Sequence, residues 1–262
     1  MKFEFDGEKY KRASENQKAW GKKLIAKLEF KGSERILDLG CGDGTLTAQL
    51  AEVVPDGFVL GIDASENMIE TARKDHAGAN VRFELLDIDA IDFESEFDLV
   101  FSNATLHWVK DHCKLLRNVF KALKNRGAAR FQFAGDGNCS NLIRILREVM
   151  SAREYASYFS EFDWPWYMPA VDEYQALLDE VAFAEKKVWS ENADTYFVSA
   201  EAMTKWIDQP SLVPFLGCIA GKDRQRFRDA VVGRMIEETL QKDGTYFETF
   251  RRINVLARKG CG

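Results

Sequence analysis

The run RILDLGCGDGTLTAQL, residues 35–50, constrains this chain more than any other stretch. Arg35 to Leu39 form an apolar strand candidate that runs straight into glycines, and Leu46 to Val54 continue with helical periodicity. A strand joined to a helix in this way is the start of a crossover unit and predicts a parallel sheet. Gly40, Gly42 and Gly44 let the backbone turn tightly and let a ligand approach, because no side chain intrudes and positive φ is permitted. Turns between strands and helices use glycine as well, so the loop by itself leaves both a binding role and a turn role open.

The pattern then repeats. Phe58–Ile62 reads as strand, Glu66–Lys74 as helix, Val81–Leu86 and Phe97–Phe101 as strands, Cys113–Leu123 as helix and Gly127–Phe133 as a fifth strand. Alternating strands and helices predict an α/β fold with a largely parallel sheet covered on both faces. Ahead of it, Trp20, Leu24, Ile25 and Leu28 place a helix within Ser14–Phe30, stopped by Gly32. After Phe133 the rhythm breaks. Asn138–Ala170 carries a helix over Leu142–Met150 and then an aromatic segment, Tyr155, Tyr158, Phe159, Phe162, Trp164, Trp166 and Tyr167. Tyr174–Leu178 reads as helical, Lys186–Phe197 as extended, Ala202–Leu240 as mostly helical with a break at Pro210–Pro214, and Thr245–Arg258 as one long strand.

Two acids follow the glycine loop at informative places. Asp63, 19 residues after Gly44, ends the second strand, where a carboxylate can accept both hydroxyls of a ribose; the same residue could instead cap the next helix, a role Ser65 also suits. Asp87 ends the third strand, which would set it beside an adenine amino group with Ile88 against the ring. Together the loop, Asp63 and Asp87 describe a nucleoside bound across the strand tips. Dinucleotides and S-adenosylmethionine compete for such a site. Dinucleotide binding expects G-x-G-x-x-G with a pyrophosphate on the helix N-terminus. This chain has G-x-G-x-G, preceded by Asp38 and followed by Asp43, and those negative charges suit a cationic amino acid better than a phosphate.

The segments ILDLGCGDG, VLGIDASENMIETAR and ELLDI resemble the motifs of class I S-adenosylmethionine-dependent methyltransferases. That resemblance implies a Rossmann-like, seven-stranded, mostly parallel sheet of order 3-2-1-4-5-7-6, sandwiched by helices and carrying a helical cap. It also implies that Gly40, Cys41, Gly42 and Gly44 cradle the methionine part of the cofactor, that Asp63 binds ribose with Ala64 and Met68 beside the adenine, and that Asp87 and Ile88 meet the adenine edge. In FSNATLHW, Asn103 and Ala104 correspond to positions whose backbone meets the methionine amino group. Tyr10 and Gln17 fall where related enzymes fold a helix over the cofactor as a lid. More narrowly, FSNATLHWVKDH, TYFVSAEAMTKWIDQPSLVPFL and DGTYFETFRRINVLARK resemble the trans-aconitate methyltransferases and the malonyl-thioester O-methyltransferases of biotin synthesis.

On this reading residues 1–34 are an N-terminal helical lid and 35–137 the cofactor-binding core. Residues 138–170 are a cap insertion, 171–200 return to the core with a helix and the sixth strand, 201–243 are a helical cap insertion, and 244–262 hold the seventh strand and the tail.

Methyl transfer from a sulfonium asks the protein to align the acceptor and exclude water. His107 and Trp108, just past the fourth strand, are the candidates for the floor of the acceptor pocket; for His107 a catalytic base and a hydrogen-bonded structural histidine are both open. Arg144, Arg147 and Arg153 could pair with acceptor carboxylates or form an ordinary solvated helix face. The aromatic segment could wall the acceptor or fill a satellite core.

A net charge of -6 argues against general nucleic-acid binding. No apolar run approaches membrane-spanning length, and residues 1–10 lack the apolar core of a signal peptide. The five cysteines, Cys41, Cys113, Cys139, Cys218 and Cys261, are scattered, and His107 and His112 have no third ligand set, so no metal and a reduced, cytoplasmic setting are expected. The expected function is methylation of a small acid, trans-aconitate-like or thioester-linked. A nicotinamide-dependent oxidoreductase and a non-catalytic cofactor-binding protein are the alternatives from other classes.

Overall fold

The computed structural model describes residues 15–261. Its strands are β1 Arg35–Leu39, β2 Phe58–Asp63, β3 Val81–Leu85, β4 Phe97–Asn103, β5 Leu123–Ala134, β6 Glu185–Asn192, β7 Thr195–Phe197, β8 Tyr246–Glu248 and β9 Arg251–Arg258. Its helices are α1 Glu15–Ile25, α2 Thr45–Val53, α3 Glu66–Asp75, α4 His112–Ala122, α5 Ser140–Ser151, α6 Val171–Asp179, α7 Ala200–Trp206, α8 Val213–Leu216 and α9 Gly221–Thr239. The chain divides into two compact units, one built from residues up to Asp136, Trp166–Glu191 and Arg252 onward, the other from Gly137–Pro165 and Asn192–Arg251.

The first unit is a seven-stranded sheet of order β3-β2-β1-β4-β5-β9-β6. Because β9 is the seventh strand of this sheet along the chain, the order is the one expected from the motifs. β1 is central, in parallel register with β2 (Leu37 opposite Leu60) and with β4 (Leu37 opposite Val100). Ile36 to Leu39 are all buried, as a strand covered on both faces requires. One face packs Ile36, Leu99 and Phe101 against Leu24 of α1, Leu50 of α2 and Ile69 of α3. The opposite face packs Leu37, Val100, Phe131 and Val255 against Leu116 of α4 and Tyr174 of α6. β9 closes this part antiparallel to β5, with Phe133 opposite Ile253 and Gln132 opposite Asn254.

The second unit has its own core. Leu142, Ile145, Leu146 and Val149 recur at helical spacing along α5 and are buried, as are Phe227, Val231 and Met235 of α9. The N-terminus of α5 has no side-chain cap of its own. Glu248 supplies one, its buried carboxylate accepting from the backbone N–H groups of Asn141 (3.2 Å) and Leu142 (2.9 Å). Burial pushes the Glu248 pKa up, against the hydrogen bonds from Leu142, Thr249 and Asn141 that favour its charge.

Three sequence expectations need correction. Thr245–Arg258 is not one strand but β8 and β9, broken at Thr249 and Phe250, because their N–H groups turn to the side chains of Glu248 and Asp194 instead of a neighbouring strand. Lys186–Phe197 likewise splits into β6 and β7, and β7 pairs with β8 in a separate two-stranded sheet. β5 begins at Leu123, ahead of Gly127, with a register shift against β4 between Phe97 and Leu99. The break at Pro210 is present: Gln209 is extended (φ -144°, ψ 108°), as a residue before proline prefers.

Candidate active site

Strand order reverses between β1 and β4, and in open parallel sheets a ligand crevice opens at such a reversal, outside the carboxyl ends of the strands. The segments that bound it here are the β1–α2 loop, the tips of β2 and β3, and the turn after β4.

The β1–α2 loop is held from beneath. The N–H groups of Gly40 and Cys41 both donate to the Ile62 carbonyl at 2.9 Å, and Gly42 donates to Asp63 Oδ2 at 3.0 Å. Asp63 Oδ1 accepts from Ser65 N–H at 2.9 Å, while Ser65, not Asp63, caps α3. The three loop glycines, all at positive φ, face different surroundings. A Cβ at Gly40 would lie 2.1 Å from the Thr105 methyl, and one at Gly44 2.8 Å from Ala72 Cβ, whereas one at Gly42 would meet nothing within 4 Å. Gly42 is therefore the position where backbone is bared to open space, a cradle that any side chain would fill.

The charges around the loop differ from the expectation in one respect. Asp43 is ion-paired with Lys18 Nζ at 2.6 Å; burial pushes its pKa up, but the hydrogen bonds from Lys18 and Thr45 and the Lys18 charge outweigh that and bring it below the usual range. Asp38 keeps its place as the buried acid under the loop. Burial pushes its pKa up to about 7, and repulsion from Asp63 adds to this against the hydrogen bond from Thr47 (2.7 Å). The Cys41 thiol is pushed up for the same reasons, burial first and then the charges of Asp63 and Asp38.

Gln17 on α1 comes to this site through its backbone: Asn103 Nδ2 at the tip of β4 donates to the Gln17 carbonyl at 2.9 Å. The approach depends on Gly21, where a Cβ would lie 2.2 Å from Leu46 and 3.1 Å from Asn103 Nδ2. Tyr10 lies outside the described residues. Ala104 takes φ +58° and donates to the Gln132 carbonyl at 2.7 Å, which turns the chain sharply at the end of β4. Met68 and Ile88 are buried, and Ala64 and Asp87 are partly exposed at their strand tips. The Asp87 carboxylate accepts from Asp89 N–H at 3.0 Å and so caps the short turn Ile88–Ala90.

Among the described residues, Gln17 Oε1, Asn103 Oδ1 and Gln132 Oε1 are buried acceptors without a donor. Asn103 and Gln132 are register partners across β4 and β5. Acceptors left open beside Asp38 and the Gly42 cradle fit a ligand bearing a cationic amino group, and so fit S-adenosylmethionine.

His107 and Trp108 occupy the turn Leu106–Trp108 after β4. Trp108 packs edge-on against Trp166 at 5.8 Å, and the His107 carbonyl accepts from Tyr167 N–H at 2.8 Å. His107 Nδ1 is enclosed, and burial first, then the positive charge of Arg252, push the ring's pKa down to about 3. The aromatic segment thus divides. Trp166 and Tyr167 belong to this turn, while in the second unit Tyr155 and Phe159 pack on Phe227 and Phe162 and Trp164 on Phe215. Arg144 is engaged by Glu148 and Glu238, and Arg147 lies over the Trp164 ring at 5.0 Å. Sequence reasoning missed Arg252, Gln132 and Asn254, whose only signal was polar residues at alternate positions of otherwise apolar strands. Among the described residues no group of three His, Cys, Asp or Glu could hold a metal ion, and no helix is long and apolar enough to cross a membrane.

The methyltransferase domain profile matches residues 30–194. Over 244 residues, 91% of each chain, the protein is 30% identical to an uncharacterized methyltransferase of Schizosaccharomyces pombe. It is 30% identical over 240 residues to a trans-aconitate 2-methyltransferase of Methylobacterium radiotolerans, covering 90% of this chain and 91% of that one. Its fold is similar to that of Haemonchus contortus phosphoethanolamine N-methyltransferase 2, solved with S-adenosyl-L-methionine, at a TM-score of 0.61 and 19% identity over 97% of this chain and 56% of that one. With the motif loop, the strand order and the acid-lined crevice in agreement, the chain belongs to the methyltransferase domain family and is an S-adenosylmethionine-dependent methyltransferase.

Proposed function

We propose that the protein O-methylates a carboxylate of a small, trans-aconitate-like acid in the cytoplasm. The observation that carries this reading is the setting of His107, whose Nδ1 is buried with no hydrogen-bond partner among the described residues, in the turn that follows β4. A ring whose pKa is pushed down to about 3 is too weak a base to prepare a phenol, an ammonium or a carbon acid, since each unit of mismatch costs about 1.4 kcal/mol. A carboxylate is already ionised and needs no base. Relatives that carry the name trans-aconitate 2-methyltransferase support the same acceptor class, and five cysteines outside any disulfide among the described residues suit a reducing compartment.

When bound, the cofactor would supply an electrophilic methyl group to an acceptor oxygen, the S–C bond giving way to the new O–C bond with S-adenosylhomocysteine as the leaving group. In this reading Gly40, Cys41, Gly42 and Gly44 hold the methionine part, with Asp38 beneath them answering its positive charge. Asp63 takes the ribose, Ala64 and Met68 lie beside the adenine, and Asp87 and Ile88 meet its edge. Asn103, Ala104 and Gln17 serve the amino group, and α1 acts as a lid. His107 and Trp108 form the acceptor floor, where a neutral imidazole orients the acceptor.

Incubation with methyl-labelled cofactor and a panel of trans-aconitate, malonyl-thioesters, phenols and amines, read by mass spectrometry, tests the proposal. The expected product is a base-labile methyl ester of a small acid. Transfer to nitrogen or carbon, or to no acid in the panel, would overturn it.

A further inference from the structure

Two buried amides stand side by side where β4 and β5 end. Asn103 and Gln132 are register partners, so their Cα atoms are one strand spacing, about 4.8 Å, apart and their side chains leave the same face of the sheet. At both, the amide nitrogen is engaged and the oxygen is not. Asn103 Nδ2 donates to the Gln17 carbonyl at 2.9 Å, and Oδ1 has no donor. Gln132 Nε2 donates to Asn254 Oδ1 at 3.1 Å and weakly to Glu191 Oε2 at 3.4 Å, and Oε1 has no donor. The orientation of Gln132 is imposed from further along the sheet. Arg130 Nη2 donates to the same Asn254 Oδ1 at 2.9 Å, and a guanidinium can only donate, so Asn254 cannot turn that oxygen away. The amide keeps this orientation even though Nδ2, its other end, is buried without an acceptor among the described residues. Arg130 is itself fixed by bonds from Nη1 to the Phe131 and Val255 carbonyls, at 2.8 and 3.2 Å, and by the Trp189 ring 4.8 Å from its guanidinium. Since Asn254 offers oxygen from β9, Gln132 answers with its nitrogen and turns its own oxygen away from β9.

We infer that Gln132 Oε1, alongside Asn103 Oδ1, accepts a hydrogen bond from the primary ammonium of the cofactor's amino-acid part, and that Arg130 and Asn254 are the positioning residues that keep this oxygen presented. This rests on the reading above that the crevice at the β1–β4 reversal holds S-adenosylmethionine. A buried acceptor left open costs free energy, and a charged N–H is the donor that recovers most of it. An ammonium carries three donors and no acceptor, which suits two carbonyl oxygens on neighbouring strands. The acid that the loop itself offers, Asp43, is committed to Lys18, so the amide oxygens take up the part its charge would have played. β4 is the strand next to β1, whose loop bares Gly42, and this makes the cofactor's ammonium a nearer source than one carried by the acceptor.

The test is calorimetric titration, with no acceptor present, of S-adenosylhomocysteine and of its desamino analogue, in which hydrogen replaces the amino group and the carboxylate is kept. The wild type should bind S-adenosylhomocysteine on the order of 100-fold more tightly than the analogue. Gln132→Met should weaken S-adenosylhomocysteine about 10-fold and leave the analogue unchanged, so that the ratio between the two ligands narrows. Asn254→Leu should narrow it as well, by freeing the Gln132 amide to turn. Asn254→Asp still offers oxygen to both Arg130 and Gln132 and should keep the wild-type ratio. Unchanged binding of the analogue separates a lost contact from misfolding. Equal losses for both ligands in Gln132→Met, or no change for either, would overturn the inference, as would a wild type that binds the two alike; in each case the cofactor site stands. A wild type that binds neither ligand would remove the reading of the crevice on which the inference rests.

Discussion

His112 Nε2 lies 3.0 Å from the carbonyl oxygen of Leu106, and since a carbonyl only accepts, that nitrogen carries the proton. Nδ1 then accepts from the Tyr174 hydroxyl at 3.0 Å. Burial pushes the ring's pKa down to about 4, so it stays neutral and the tautomer is fixed. The second histidine of the pocket region is therefore a latch that ties the turn carrying His107 and Trp108 to α4 and α6. His112→Phe keeps the ring but strands the Leu106 carbonyl and the Tyr174 hydroxyl. It should cost about 2–4 kcal/mol, at 1–3 for each stranded group with some relaxation, read from urea midpoints. Tyr174→Phe should cost about half as much. In both, the acceptor KM should rise more than the Kd for S-adenosylhomocysteine; the reverse pattern would detach the latch from the acceptor turn.

The depressed pKa of His107 has a stability counterpart. Its folded value, about 3, lies below the unfolded value of about 6.5, so below pH 6.5 the unfolded chain takes up a proton that the folded one refuses. The stabilising contribution is present above pH 6.5 and is lost as pH falls toward 3. His107→Gln should flatten the dependence of stability on pH between 6 and 4 by up to one proton, about 1.4 kcal/mol per pH unit. Denaturant titrations of both proteins at pH 4, 5, 6 and 7 measure this, and parallel curves would contradict a neutral, enclosed imidazole.

How far the residues announce these arrangements depends on the range of the forces that make them. The β1–α2 loop, the strand order and the Asp63 tip are legible because local patterning and crossover geometry dictate them. The boundary between β8 and β9 failed where side chains replaced ladder partners, the distant Asp194 for Phe250 and the adjacent Glu248 for Thr249. The Lys18–Asp43 pair and the Asn103–Gln17 bond join residues 25 and 86 positions apart, so no window along the chain could show them. Arg252 escaped notice for the same reason. In the sequence it is one of two adjacent arginines inside a long strand, and only the strand's register and its burial distinguish it from Arg251, which pairs with Asp194.

With Asp38 beneath the cofactor, as proposed, its carboxyl would link cofactor binding to protons. Its carboxyl is half-protonated near pH 7 in the free protein, burial being the main cause, and the positive charge of the cofactor's amino acid part favours the ionised form. Binding should therefore release a proton below pH 7, and the Kd for S-adenosylmethionine should rise as pH falls, by up to tenfold per unit. Calorimetry at pH 6 in two buffers of different ionisation heat counts the protons. Asp38→Asn should bind more weakly at pH 8, with a Kd that no longer changes between pH 6 and 8.

The three loop glycines should separate under mutation, although the sequence presents them as equivalents. Alanine at Gly40 would combine a left-handed backbone (φ +72°) with a Cβ 2.1 Å from Thr105, so strain and overpacking together should cost about 2–5 kcal/mol of stability. Gly44→Ala should behave similarly, because its Cβ would press on Ala72 and the Phe83 ring between α2 and α3. At Gly42 (φ +55°) the backbone strain remains, about 1–2 kcal/mol, but the Cβ would meet nothing. Its side chain would instead enter the open space proposed for the cofactor. Gly42→Val should thus leave most of the folding stability and raise the Kd for S-adenosylmethionine at least 100-fold, while Gly40→Ala should lose melting temperature first. Thermal melts with and without cofactor distinguish the two. If cofactor raises the melting temperature of Gly42→Val as much as that of the wild type, the cradle lies elsewhere on the loop.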